Sequence, residues 1–429
     1  MGATTYYCCR PVWLTALCAQ QCAILFHSTT QGIDMTAKIE FFPVDNGDMT
    51  LLTLESGRQI LIDVNIRKDA DDVENQDVPD VIDMLRSRLR RDASKRPFVD
   101  AFLLSHPDAD HCRGLTRHFH LGTPEDWKSK DDKIIVREMW SSPIIFRRRQ
   151  DLDGELCLDA EAWWAEARRR VSLFRKNGAS VSDGDRILIL GKDVDGKTDD
   201  LADILVEVDK LITKICGQQD KTFSGLLLAP LPGKDDEEEE LLEKNHSSTV
   251  IRFELAAGEK SDAGRLLTGG DAGVAIWDRL WQRHKKSEEN LSYDVLLTPH
   301  HCSWRSLSYD SWSEMGEEAK VSNDARNALG QALDGALLIA SSKEIEDDED
   351  DPPCIRAKRE YDEIADDAGG EFLCTADECD DDVLLITISE EGPTKGTAKK
   401  AVAGGASYVT ATHSSQPAPV EKRGGGRYA

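Results

Sequence analysis

From Lys38 onward the apolar residues come in short runs cut by turn chemistry. "KIEFFPV", "MTLLTL" and "RQILIDV", broken at Asn46-Gly47 and Ser56-Gly57, predict a meander of three strands. A charged helix is expected at about Val78 to Asp92. The run "FVDAFLLS" is apolar on both faces and predicts a buried strand. "KIIVREMW" reads as another strand. "LDAEAWWAEARRRVSLFRKNG" has the spacing of an amphipathic helix ending at Gly178, with Trp163, Trp164 and Phe174 assigned to the core. Gly191 to Phe223 has a weak pattern and reads as an insertion. Strands resume at "GLLLAP", "STVIRFEL" and "RLLTGGD", followed by a helix at about Val274 to Lys285 and the strand "YDVLLTP". Beyond "HHCSWRSLS" the pattern predicts a strand at "GALLIAS", a helix around Ile355 to Ala368, and last strands near "EFLCT" and "VLLITIS". Strands interleaved with helices make an α/β protein. No repeat of fixed period is evident.

Composition narrows this picture. A chain of 429 residues has room for several domains or for one large α/β domain carrying insertions. The balance of 80 Asp and Glu against 53 Lys and Arg gives a formal charge of −27, which repels polyanions over most of the surface and argues against tight duplex binding. Eleven scattered cysteines without a C-x-x-C pair point away from a disulfide framework and toward a reducing, cytoplasmic compartment. "KDDEEEE" and "EIEDDEDD" read as solvated loops, with ion binding as the alternative, and are the surfaces a protein partner would use. "RPVWLTALCAQQCAILF" is too short and too polar for a membrane span and has no clean cleavage site, so residues 1–34 read as an extension, with secretion left open. The expected organisation is a domain over 35–392 with insertions near 191–223, 233–245 and 344–353, then a Gly, Ala, Ser and Thr-rich disordered tail from 393 to 429.

The chemistry concentrates in "LLSHPDADH", Leu103 to His111. A strand that breaks into a loop lets side chains at i, i+2, i+4 and i+5 converge, the spacing of His106, Asp108, Asp110 and His111. Imidazole and carboxylate are the natural ligands of zinc and similar divalent ions. Asp271 after "RLLTGG", His300 and His301 after "YDVLLTP", and His246 before "STVIRFEL" stand at other strand ends, where sites collect. A single strand-end histidine is most simply a satisfied core or surface residue. A set drawn from several strand ends with one ligand chemistry is a metal site.

In their order, "VDNGDMTLL", "ILIDV", "LLSHPDADH", "LLTGGDA" and "TPHHCS" resemble the metallo-β-lactamase fold, and within it the hydrolase domain of competence-type DNA uptake proteins and their free-standing relatives. The resemblance runs discontinuously from about Ile39 to about Gly392. It implies a four-layer αββα sandwich and a dinuclear site. His106 and Asp108 would bind the first ion, Asp110 and His111 the second, and Asp271 both. One of His300 and His301 would complete the second set, with His300 favoured as nearer the strand end. His246 matches in order the third metal motif of the broader superfamily, although the competence-type relatives often carry an asparagine-rich stretch there. Asp63, at the "LID" turn, would orient metal-loop histidines, and Asp48 would do similar work. Asp110 and Asp271 are the residues expected to carry catalysis.

Departures from the pattern mark a divergent subgroup. "LIDVN" lacks the usual glycine, "DHCRGL" replaces a small-residue turn, and Cys302 stands where glycine is usual. Cys302 and Cys112 adjoin ligands and read as packing cysteines, with thiolate ligation the alternative. Two divalent ions, zinc or, because Asp108 adds negative charge, manganese, would activate water. The implied substrate is a phosphodiester, small or a short oligonucleotide, gripped by Arg113, Arg117 and Arg305. An ester, lactone or amide on the same site is the alternative, and a degenerate scaffold that binds a partner is the third reading.

Overall fold

The computed structural model describes residues 36–71, 78–153, 155–379 and 382–396. The expected N-terminal extension over 1–34 and the tail beyond residue 396 lie outside the described residues. The opening meander is β1 (Lys38–Phe41), β2 (Thr50–Thr53) and β3 (Gln59–Ile62), antiparallel with Ile39 opposite Leu52 and Leu51 opposite Leu61. The sheet then turns parallel through β4 (Pro97–Leu103), β5 (Ile134–Ser141) and β6 (Arg186–Leu190). Parallel neighbours need long crossovers. These are α1 (Val81–Arg88) before β4, then α2 (Pro143–Asp153) and α3 (Leu158–Asn177) before β6. Asp80 caps α1 by accepting from the Asp83 N–H at 2.9 Å. Gly178, at φ 60° and ψ −144°, ends α3 in a positive-φ conformation that suits glycine.

The second half repeats the plan. β7 (Phe223–Ala229), α4 (Asp236–Glu243), β8 (Val250–Ala257) and β9 (Lys260–Thr268) open it, with β7, β8 and β9 antiparallel. After α5 (Val274–His284) come β10 (Tyr293–Leu297), α6 (Asn323–Leu329), β11 (Ala332–Ala340), α7 (Ile355–Asp367) and β12 (Glu371–Cys374), with β9 through β12 parallel. β13 (Leu384–Ser389) returns to pair with β1, and β14 (Gly392–Gly396) pairs with β13. The molecule is thus a mixed α/β protein built on two large mixed sheets.

Three apolar cores follow from the alternation of side chains on these strands. One joins the sheets, with Ile39, Ile62, Leu103 and Trp140 of the first against Phe253, Leu266, Val295 and Ile339 of the second. Another holds Leu61, Phe102 and Met139 against Leu85, Trp163 and Phe174 of α1 and α3. The last holds Leu267, Leu296 and Leu338 against Trp277, Leu329 and Tyr361 of α5, α6 and α7. β4 is buried along its whole length, as a central parallel strand must be. Trp164 lies only half-buried at the edge of its core.

Several expectations are corrected. The acid run read as a solvated loop forms α4: Asp235 caps it, Asp236 to Glu239 fill its first turn, where the helix dipole favours carboxylates, and Glu239 meets Arg147 and Arg148 of α2. Gly191 to Phe223 is tied into both sheets. Leu205–Val206 extends the first sheet beside β6, Leu211–Ile212 pairs with β7, and Ile212 and Ile215 enter the core between the sheets. These ladders are two residues long, too short to leave a periodic pattern. Gly392 to Gly396, of which residues 393–396 were expected in the tail, pair with β13 as a hairpin. α2 and β6 belong to no expected element. The acid run at 344–350 is mostly exposed.

Candidate metal centre

All the strand ends singled out above meet at one edge of the two sheets. Asp63 follows β3, Ser105 to His111 follow β4, Asp271 follows β9, and His300 and His301 follow β10, each at the C-terminal end of a parallel strand. Asp48 and His246 lead into β2 and β8, antiparallel strands that begin where their neighbours end. The Thr249 N–H donates to the Ser105 carbonyl at 3.0 Å and ties the two halves at this edge.

Beyond β4 the chain leaves the sheet, is extended at Asp108, and then winds into the short turn Ala109–Cys112, which carries Asp110 and His111. Asp63 sits below this turn at φ 53°, a left-handed conformation that Asp tolerates better than most residues. Its fully buried carboxylate accepts from the Ser105 N–H at 2.7 Å, from the Ser105 hydroxyl, and from His111 Nδ1 at 2.8 Å. Nδ1 is thereby committed to Asp63, and Nε2 is the atom left to meet a cation, which would take the place of its proton.

Nε2 faces Asp271, the hub of the site. His111 Nε2 lies 2.9 Å from Asp271 Oδ1, and His301 Nε2 lies 3.4 Å from the same oxygen. His106 Nε2 and His300 Nε2 stand 3.5 and 3.4 Å from Asp271 Oδ2. Asp110 Oδ2 is 3.5 Å from His301 Nε2, and the His111 and His301 Nε2 atoms are 3.3 Å apart. Asp271 Oδ1 and His106 Nε2 are buried without a hydrogen-bond partner. Buried polar atoms are rarely left unsatisfied. Donor atoms of Asp110, His111, Asp271 and His301 all lie within 4.8 Å of one another, and a cation among them would satisfy them together.

Electrostatics point the same way. Burial works against a charge on His111, yet Asp271 and Asp63 outweigh it and hold its pKa well above the usual histidine value. His301 is likewise pushed up to about 10 against its burial, by Asp271, Asp110 and Asp48. Burial prevails at His300, which falls to about 4. Asp271 resists burial and stays well below the usual carboxylate range because His300, His111, His301 and His106 surround it. The pocket stabilises positive charge at its centre. A second group, Asp48, Asp63 and His111, also has metal-binding spacing, but the Asp63 oxygens are committed to Ser105 and His111.

The preference for His300 over His301 does not match the geometry, since His301 is the one that joins Asp110 and His111. The backbone passes through three successive left-handed residues, His300 and His301 at φ 54° and Cys302 at φ 67°, and delivers the two rings to opposite sides of Asp271. Nearness to the strand end could not reveal this. Asp48 stands beside His301, with Oδ1 3.4 Å from Nδ1. On the other side, Asp108 Oδ2 is 3.9 Å from His106 Nε2, and the His246 ring centroid lies 4.9 Å from that of His300. His246 thus reaches the cluster through His300.

The basic residues separate. Arg113 donates to Asn65 Oδ1 at 3.1 Å and Arg117 to the Ile66 carbonyl, so both brace the loop after β3. Arg305, 65% exposed, lines a cavity of about 390 Å³ together with His246, Trp304 and Trp312. Cys302 and Cys112 are buried, and the Cys112 thiol donates to the Asp108 carbonyl at 3.1 Å; neither belongs to a donor group among the described residues. Sequence reasoning missed Arg149 of α2, whose Nε donates to Asp108 Oδ1, and Ser248, whose hydroxyl accepts from the Asp271 N–H at 3.0 Å. The basic run "FRRRQ" was the available signal for the first; the second left none. No family model matches the chain, and no curated protein matches it.

Proposed function

We propose that this protein is a metal-dependent hydrolase of the metallo-β-lactamase fold, acting on a phosphodiester through two divalent ions, zinc or manganese. The observation that carries the reading is the convergence of Asp110, His111, His301, His106 and His300 on one buried carboxylate, Asp271, with donor atoms left unsatisfied. The three cores, one between the sheets and one on the outer side of each, support a four-layer αββα arrangement. Asp110, His111, Asp271 and His301 would hold one ion; His106 and Asp108, with His300 or His246, would hold the other. Bound there, such ions supply Lewis-acid activation of water and of the electrophile.

The chain's own residues do the rest. Asp63 fixes the ring orientation and tautomer of His111, and Asp48 stands against His301. Arg149 holds Asp108 in place. Arg305 at the cavity beside His246 offers a cation to a phosphoryl oxygen, which favours a phosphodiester over a neutral ester. The formal charge of −27 favours a small or short substrate over a duplex.

Metal analysis and turnover of bis(p-nitrophenyl) phosphate and p-nitrophenyl acetate test the reading. About two ions per chain are expected, with the phosphodiester hydrolysed well above the ester. Asp110→Ala should lose one ion and hydrolysis. Full metal content in that variant, or a wild-type preference for the ester, would overturn the assignment.

A further inference from the structure

Two thiols lie in contact beside the metal centre and take no part in the chemistry proposed above. Cys112 closes the turn that carries Asp110 and His111, and Cys157 immediately precedes α3. Their sulfurs are 3.5 Å apart. A disulfide needs about 2.05 Å between sulfurs, so the two atoms stand in contact but unbonded. Cys112 is fully buried, whereas Cys157 is partly open to solvent.

The frame that holds the pair is rigid. Asp159, in the first turn of α3, accepts from the Gly114 N–H at 2.9 Å, the Thr116 N–H at 2.8 Å and the Thr116 hydroxyl at 2.6 Å. These bonds clamp the segment after Cys112 to the helix that Cys157 begins. The Cys157 sulfur also lies at the N-terminus of a 20-residue helix, toward the N–H groups of Asp159 and Ala160, though it closes no capping hydrogen bond. With the Cys112 proton directed to the Asp108 carbonyl, the helix N–H groups of Asp159 and Ala160 favour a thiolate at Cys157. A partly exposed thiolate beside a buried thiol is the arrangement of an attacking and a resolving cysteine.

We propose that Cys112 and Cys157 form a reversible thiol–disulfide site, oxidised by hydrogen peroxide or a small organic hydroperoxide and reversed by a thiol reductant. The Cys157 sulfur attacks one peroxide oxygen; the O–O bond breaks, the far oxygen leaves as water with the thiol proton, and Cys157 becomes a sulfenic acid. The Cys112 sulfur then attacks the Cys157 sulfur; the S–O bond breaks and a second water leaves with the Cys112 proton. Two thiols and one hydrogen peroxide become one disulfide and two waters, with the two electrons passing to the peroxide. Oxidation staples α3 to the metal-loop turn and removes the S–H that Cys112 donates to the Asp108 carbonyl.

Peptide mapping of the full chain tests this. The reduced protein is treated with stoichiometric hydrogen peroxide, alkylated and digested. A Cys112–Cys157 linked peptide is expected as the main disulfide, lost again with dithiothreitol. Cys157 should be oxidised at least about tenfold faster than buried Cys216 and Cys379. In Cys112→Ser, dimedone should trap a sulfenic acid at Cys157. Oxidation of Cys157 no faster than of the buried cysteines, or a Cys157 sulfenic acid in the wild-type chain that never passes to Cys112, would overturn the proposal. The wild-type measurement decides the matter even if the variant fails to fold.

Discussion

Asp63→Asn separates the charge of the buried carboxylate from its shape. The backbone at φ 53° accepts Asn as readily as Asp, so no conformational penalty enters. The Asn oxygen can still accept from the Ser105 N–H, now at 2.7 Å, and the Ser105 hydroxyl can rotate to accept from the new amide. What cannot be rescued is the 2.8 Å bond from His111 Nδ1, because an amide N–H would face a ring N–H. One lost bond to a charged acceptor costs roughly 1.5–3 kcal/mol of stability. To recover a bond, His111 must move its proton to Nε2, the atom that faces Asp271 Oδ1 at 2.9 Å. Metal affinity should then fall about 10–100-fold. Zinc titration against a chromophoric chelator reads the affinity, and urea unfolding of the metal-free chain reads the stability. Unchanged affinity in a variant that shows the expected stability loss would refute the tautomer argument.

Glu239 supplies a pH dependence away from the metal centre. Burial works against its charge, but hydrogen bonds from Arg148, the Gly233 N–H and Arg147 bring it from 4.5 down to about 2. A depressed carboxylate contributes stability that is fully present above the unfolded pKa and lost as pH falls through the folded one. The urea midpoint should therefore drop from pH 4.5 toward 2, and Glu239→Gln should flatten that drop; parallel profiles would exclude the network as its source. Trp163→Ala removes a fully buried indole that meets Phe102 edge-on at 4.9 Å and donates to Ser141 Oγ at 3.1 Å. A loss of about 3–5 kcal/mol is expected in denaturant unfolding, and a loss under 1 kcal/mol would show that α3 contributes little to its core.

Long, strongly patterned elements were legible because one signal dominated each. The helix Leu158–Asn177 announced itself by periodicity and by Gly178, and β4 by apolar residues on both faces, broken only at Asp100. α4 was misread because acidic composition says "solvent" unless the cap at Asp235 and the arginines of α2 are considered with it. The two-residue ladders at 205–206 and 211–212 have no periodicity to detect; their pairing partners alone define them.

The same division runs through the candidate site. Ligand chemistry and strand-end position are local properties, so His106, Asp108, Asp110, His111, Asp271, His300 and His301 could be singled out residue by residue. Which donors share a common centre is a matter of distance between segments that are far apart in sequence, and it is set by sheet register and by the handedness of single turns. Three left-handed residues in succession bring His301 rather than His300 to Asp110 and His111. The placement of α2 brings Arg149 to Asp108, and the start of α3 brings Cys157 to Cys112. Side-chain type is written in the chain one residue at a time, whereas convergence depends on the packing of the two sheets and their crossover helices, and only the folded structure decides it.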